Sequence, residues 1–234
     1  MTRYDFTTQP NRLNQNTMKW HEAESDPELL ELWVADMDFL PVPEIRDAVI
    51  NYAETHIFGY PYPSDELYQS IIDWEKNQHG YSVDKASIVL IEGVVPAIST
   101  AIQSFTKEDD AVLINTPVYP SFARSVRLNN RKLIENSLVK VNGHFEIDFE
   151  QLERDIVDND VKLYVFCSPH NPGGRVWTKE ELTMVADLCQ KHGVLLVSDE
   201  IHQDLALYGN KHISLNTISN AYKDFTLVLS SATK

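Results

Sequence analysis

Five short apolar runs punctuate the chain: SIVLI at 87–91, AVLIN at 111–115, LYVFC at 163–167, VLLVS at 194–198 and TLVLS at 226–230. Continuous apolar runs of this length, rather than alternating ones, are the form taken by strands buried on both faces. Other segments carry the helical period. Ile45, Ala48, Val49 and Tyr52 fall at i, i+3, i+4, i+7, as do Ile98, Ala101, Ile102 and Phe105. Leu182, Val185, Ala186 and Cys189 form a third such face, opened by Thr178 with Glu181 three residues on and closed by Gly193. A fourth helix is predicted over DELYQSIIDWEKNQH, between Ser64 as N-cap and Gly80 as stop. The one break in the rhythm is LVKVNGHFEI, where Asn142-Gly143 between alternating apolar residues predicts a hairpin. Strands alternating with helices predict an α/β fold, a mostly parallel sheet with helices on both faces. The first forty residues are polar and irregular and read as an arm outside the core; no repeat or low-complexity segment is present.

Composition narrows the class. The 234 residues are 43% hydrophobic, which is that of an ordinary globular core, and carry a formal net charge of -15. A chain this acidic does not suit a nucleic-acid or anionic-membrane surface, because phosphates are met by clustered Lys and Arg. Cys167 and Cys189 both lie inside apolar patterns, so they read as buried thiols of a reducing compartment, without metal-ligand spacing. The N-terminus lacks an apolar signal region and no stretch approaches the roughly 20 apolar residues of a membrane span, which together read as a cytoplasmic protein with a small-molecule role.

Ligands of open α/β sheets bind beyond the carboxyl ends of the strands, so the residues after each run matter most. The first run is followed by EGVVPAIST, a glycine and a helix start with Pro96 in its first turn. The others are followed by TPVYP, SPHNPGG, DEIH and SATK. Each feature has a bland reading. Gly93 is a turn glycine by default, Tyr119 a packing aromatic, Asn171 a turn residue, His202 a satisfied histidine and Lys234 a solvated lysine. Asp199, directly after an apolar strand, needs a positive partner or a structural ion pair. Their joint order, one at each strand end, suits pyridoxal 5'-phosphate chemistry. That chemistry needs a lysine for the aldehyde, an acid for the pyridine nitrogen, an aromatic for the ring, and hydroxyls with helix amides for the phosphate. In that scheme Ser231 and Thr233 are phosphate-side hydroxyls and Lys234 is the aldehyde's partner.

The series NRLNQNTMKW, WVADMDF, FGYPYPS, EGVVPAIS, TPVYPSF, CSPHNPGGRVW, SDEIHQDL and SSATK resembles the fold type I, class I and II aminotransferase superfamily. Within it, WVADMDF and SDEIH resemble the cystathionine β-lyase or carbon-sulfur lyase branch. The resemblance implies Lys234 as Schiff-base lysine, Asp199 on the pyridine nitrogen, Asn171 toward the ring 3-oxygen and Tyr119 stacked on the ring. It implies the amides of Val94 and Val95, after Gly93, at the phosphate with Ser231 and Thr233. Tyr60 in FGY matches a tyrosine that reaches the phosphate of the neighbouring subunit, which implies a homodimer with composite sites. Many aminotransferases have a tyrosine where His202 stands, and the histidine agrees with the lyase branch. Residues 1–45 would form an arm and part of a small domain, and 46–234 the cofactor-binding large domain. Family members continue beyond the lysine, so the small domain is incomplete in this chain. The implied activity is β-elimination from a sulfur amino acid to thiol, pyruvate and ammonia. The alternatives are an aminotransferase using the same residues and a partner-binding regulator that keeps the fold.

Overall fold

The computed structural model describes residues 4–26 and 28–232, which fall into two compact units that divide between Pro63 and Ser64.

In the first unit the polar arm is tied by charge rather than by a core. Arg12 reaches Asp38 at 2.7 Å and Asp36 at 2.6 Å, Lys19 reaches Asp38 at 2.7 Å, and the Trp20 indole donates to Asp38 at 2.9 Å. Hydrogen bonding from Lys19, ahead of that from Trp20 and Arg12, holds the Asp38 carboxyl down to about 2. The helix α1 runs Pro43–Thr55, with proline in the first turn where its missing N–H costs nothing. Its apolar face exists as the spacing predicts, with Ile45, Val49 and Tyr52 exposed and the Tyr52 ring stacked on His56 at 4.4 Å.

The second unit contains α2 (Asp65–His79), α3 (Val94–Phe105), β1 (Ala111–Thr116), α4 (Ser121–Leu128), β2 (Lys132–Ser137), β3 (Val139–Val141), β4 (His144–Glu146), α5 (Phe149–Asp158), β5 (Val161–Cys167), α6 (Lys179–His192), β6 (Leu195–Asp199) and β7 (Thr226–Leu229). Five strands make one wholly parallel sheet in the order β2-β1-β5-β6-β7. All their carboxyl ends therefore lie along one edge. The Asn142-Gly143 turn joins β3 and β4 as the predicted hairpin, with both residues at positive φ.

Side-chain alternation divides the core between the two faces of the sheet. Leu113, Tyr164, Phe166 and Leu196 pack with Trp177, Leu182, Val185 and Ala186 on one side. Val112, Ile114, Leu163, Val165 and Val197 pack with Ile98, Ile102, Phe122 and Val126 on the other. The predicted caps are present: Ser64 Oγ accepts from the Leu67 amide at 3.2 Å, Thr178 and Glu181 complete a capping box, and Gly80 and Gly193 close their helices in the left-handed conformation.

Two elements differ from expectation. SIVLI is not a strand: a 3-10 turn occupies Lys85–Ser87 and the following residues run without a ladder, with Val89 85% exposed. An apolar run becomes a strand only where a neighbouring backbone pairs with it, and among the described residues none does. Conversely, β2 escapes a reading by hydrophobicity because of Glu135 and Asn136. Buried Asn136 accepts from Asn115 at 2.9 Å and donates to Asp155 at 2.8 Å, and Tyr164 donates its hydroxyl to Asn115. This chain of bonds satisfies the buried side-chain amides of Asn115 and Asn136 internally. No helix among the described residues is long and apolar enough to cross a membrane.

Candidate active site

The carboxyl edge of the sheet gathers most of the strand-end residues. Gly93 precedes α3 with φ 129 and ψ 161, a conformation open to glycine, and its carbonyl accepts from the Ala97 amide at 3.0 Å. The amides of Val94 and Val95 lie in the first turn of α3, where geometry provides no intrahelical acceptor. A helix start without a side chain at its cap is an anion cradle.

After β1, Tyr119 stands 43% exposed, with its ring edge-on to buried Phe122 at 6.3 Å. Its amide donates to the carbonyl of Asn171 at 3.1 Å, which joins the loops beyond β1 and β5. The Asn171 amide in turn donates to Cys167 Sγ at 3.4 Å, and the Ser168 amide to the carbonyl of Asp199 at 2.9 Å. Tyr119, Asn171 and Cys167 thus form one hydrogen-bonded series, and the next residue, Ser168, ties it to Asp199 on the adjacent strand end.

The loop after β5 is stiffened from beneath. The Trp177 indole donates to the carbonyl of Cys167 at 2.9 Å, and Arg175 grips both oxygens of Glu181 at 2.8 and 2.7 Å. His170 is buried, its Nδ1 accepts from the Gly173 amide at 3.2 Å, and its ring lies edge-on to Trp177 at 5.6 Å. Burial, then the charge of Arg175, lowers its pKa to about 4. The imidazole is therefore neutral with its proton on Nε2.

Asp199 is 5% exposed and ends β6 between Cys167 and Leu229; its Oδ1 accepts from the Ile201 amide at 3.1 Å. Burial, then the Asp199 charge, pushes the Cys167 thiol up to about 12. His202 is half-buried and opens the 3-10 turn Gln203–Leu205, and Ser231 is half-buried after β7. Thr233 and Lys234 lie outside the described residues. Tyr60 belongs to the first unit, where its side chain is wholly exposed.

The sequence reading passed over buried ionisable groups behind this edge: Glu75, His170, Glu200 and His212. Glu200 stands beside Asp199 in SDEIH, and a second acid directly after an apolar strand is the signal that marks it. His212, in the polar stretch GNKHIS, gave no such signal.

The sequence profile of aminotransferase class I and II matches residues 27–234. The chain belongs to that family. It is 38% identical to cystathionine beta-lyase PatB of Bacillus subtilis over 98% of its own length and 60% of that protein's. Protein MalY of Escherichia coli is 32% identical over 87% of the chain and 52% of that protein. Cystalysin from Treponema denticola, whose crystal structure contains a pyridoxal 5'-phosphate cofactor, superposes with a TM-score of 0.92 at 37% identity over 98% of this chain and 59% of its own. The chain thus spans 60% or less of the length of these relatives. In this aminotransferase-family chain the parallel sheet carries Tyr119, Asn171 and Asp199 just beyond or at the ends of the neighbouring strands β1, β5 and β6.

Proposed function

We propose that the whole protein is a pyridoxal-phosphate-dependent carbon-sulfur β-lyase acting on a sulfur amino acid, as the names of its relatives suggest. The observation that carries the reading is Asp199. Its carboxylate, 5% exposed at the end of a parallel strand, is tied through Ser168 to the loop that carries Asn171, to whose carbonyl the Tyr119 amide beyond β1 donates, and an acid so placed suits a cationic ring nitrogen. A protonated pyridine ring supplies one. Two further features fit the rest of that molecule: the exposed Tyr119 ring, and the start of α3 at Gly93, which has no side-chain cap.

The bound cofactor supplies a sink for the electron pair left when a Cα proton departs. This chain does the remaining work. Asp199 would accept the ring N–H and hold that proton in place. Tyr119 would cover a ring face, Asn171 would donate toward the ring 3-oxygen, His202 follows three residues after the acid in the place where many aminotransferases have a tyrosine, and Val94, Val95, Ser231 and Thr233 would hold the phosphate. The ε-amine of Lys234 would hold the aldehyde end of the cofactor and, when free, would take the Cα proton. Loss of thiol from Cβ follows, and hydrolysis gives pyruvate and ammonia. Tyr60, fully exposed in its own unit, is placed by this reading at the phosphate of a second subunit in a homodimer, and the acidic chain works as a cytoplasmic enzyme.

The test is spectroscopic and chemical. Purified whole protein should show a visible band that borohydride bleaches, and Lys234→Ala should lose turnover yet still bind cofactor reversibly. Thiol and pyruvate should form from cystathionine without added keto acid. Turnover that requires a keto-acid acceptor would instead identify an aminotransferase, and a protein without the band would be a partner-binding relative.

A further inference from the structure

Directly after Asp199 the chain carries a second carboxylate, and it is more deeply buried than the first. Glu200 is wholly inaccessible and both its oxygens are engaged. Oε1 accepts from Ser198 Oγ at 2.9 Å and from the Leu215 amide at 3.3 Å. Oε2 lies 2.8 Å from Nε2 of His212, whose side chain is 1% exposed. The main chain is held as well: the Glu200 amide donates to Leu229 at 2.8 Å and its carbonyl accepts from Gln203 at 2.9 Å.

Strand register decides what this grip does. Ser198 stands opposite Phe166, on the face that packs with Leu215, whereas Asp199 stands opposite Cys167, on the other face. Ser198 and Glu200, two positions on and bonded to it and to the Leu215 amide, are thus fastened on the side away from the Asp199 carboxylate. Asp199 is the last residue of β6, so no further ladder fixes the backbone beyond the Glu200 amide. A buried, hydrogen-bonded acid is not needed for stability, since an apolar side chain of similar volume stabilises such a position as well. It does fix direction, because each oxygen accepts at a set angle.

We propose that the Glu200–His212 pair is a positioning device that holds the backbone on either side of Asp199 and so aims the Asp199 carboxylate at the pyridine nitrogen. The inference rests on the cofactor reading above. Neither residue touches cofactor or substrate; both act through Asp199. The rest of the buried polar layer supports the same frame. Glu75 on α2 accepts from Gln203 at 2.7 Å and from Ser230 at 3.3 Å, which braces the β6 end against the β7 end.

The test uses the whole protein with His212→Leu, His212→Gln and Ser198→Ala. Leucine removes the donor to Glu200, glutamine restores a donor at nearly the same point, and alanine removes one smaller contact at low risk to folding. Expected for His212→Leu are an altered absorption maximum of bound cofactor, about tenfold weaker cofactor binding and about tenfold lower kcat with substrate KM little changed, in line with losing a partner behind a ligating group. His212→Gln should recover most of each, and Ser198→Ala should move the same way by a smaller factor. A wild-type band with leucine and alanine variants identical to it in spectrum, affinity and kcat would overturn the positioning role and leave the cofactor reading standing. If neither variant folds, the pair is a folding element and the proposal is equally overturned. A wild-type protein without the band would overturn the cofactor reading and this inference with it.

Discussion

The amide of Tyr119 donates to the carbonyl of Asn171 at 3.1 Å, so the aromatic beyond β1 and the amide beyond β5 cannot shift independently. Whatever displaces the 168–175 loop moves both. Gly173 is the position where this is easiest to provoke: a Cβ there would lie 2.6 Å from His170 Nδ1 and 3.2 Å from Phe145 Cδ2. His170 is buried and has no room to retreat. Gly173→Ala is therefore expected to cost about 1–3 kcal/mol in urea unfolding, as overpacking does, and to weaken cofactor binding at the same time. An alanine variant with unchanged unfolding midpoint would show that the loop yields freely.

Asp199→Ala removes the partner that keeps the ring nitrogen protonated without touching the aldehyde or the substrate. Turnover should fall by about 10² to 10³ at saturating cofactor, the loss typical of one preorganised electrostatic group. Steady-state rates with cystathionine decide it; unchanged kcat would remove Asp199 from the mechanism.

Gly93 poses a different problem, because space is available but conformation is not. A Cβ would meet Pro96 Cδ at 3.6 Å, an ordinary contact, yet φ 129 with ψ 161 is a region that side chains avoid. Gly93→Ala should cost about 1–3 kcal/mol of strain. Relief of that strain would rotate the first amides of α3, so phosphate-containing ligands should bind more weakly while the parent aldehyde without phosphate is less affected. Equilibrium binding of the two ligands gives the comparison.

Legibility from sequence followed burial. β1, β5, β6 and β7 were visible because strands covered on both faces are written as unbroken apolar runs, and their ends named Tyr119, Asn171 and Asp199 directly. SIVLI had the same spelling without a partner, since composition does not say whether a neighbouring backbone is there to pair with it. β2 was hidden because its inward positions include Asn136, satisfied by Asn115 and Asp155 in a way only the fold reveals. Glu200 and His212, twelve residues apart, became a pair through the return of the 206–214 segment, and nothing in their local pattern announced it.

Both cysteines should be inert in the folded chain. Burial pushes the Cys167 thiol up to about 12, aided by the Asp199 charge, and burial raises Cys189 as well. A thiolate-dependent reagent near pH 8 should find neither thiol until denaturant is added, and then both. Rapid labelling of native protein would contradict the burial of the β5 end.

His170 makes the loop that carries Asn171 sensitive to acid. In the folded chain its pKa is lowered from 6.5 to about 4, first by burial and then by Arg175, while in the unfolded chain it returns to the ordinary value. Between those values the unfolded state binds the proton and the folded state does not, so stability falls as pH drops from about 6.5 toward 4 and is fully present above 6.5. The full window corresponds to about 3 kcal/mol. Protonation would also place a hydrogen on Nδ1, where the Gly173 amide now donates at 3.2 Å, so the same event opposes the contact that shapes the loop. Among the described residues Nε2 has no partner to offset it. Urea unfolding at pH 7.5 and pH 5 should show this loss, and His170→Gln, which cannot titrate, should be less stable at pH 7.5 yet lose less between the two values. Parallel pH dependences in the two proteins would assign the acid sensitivity to other groups.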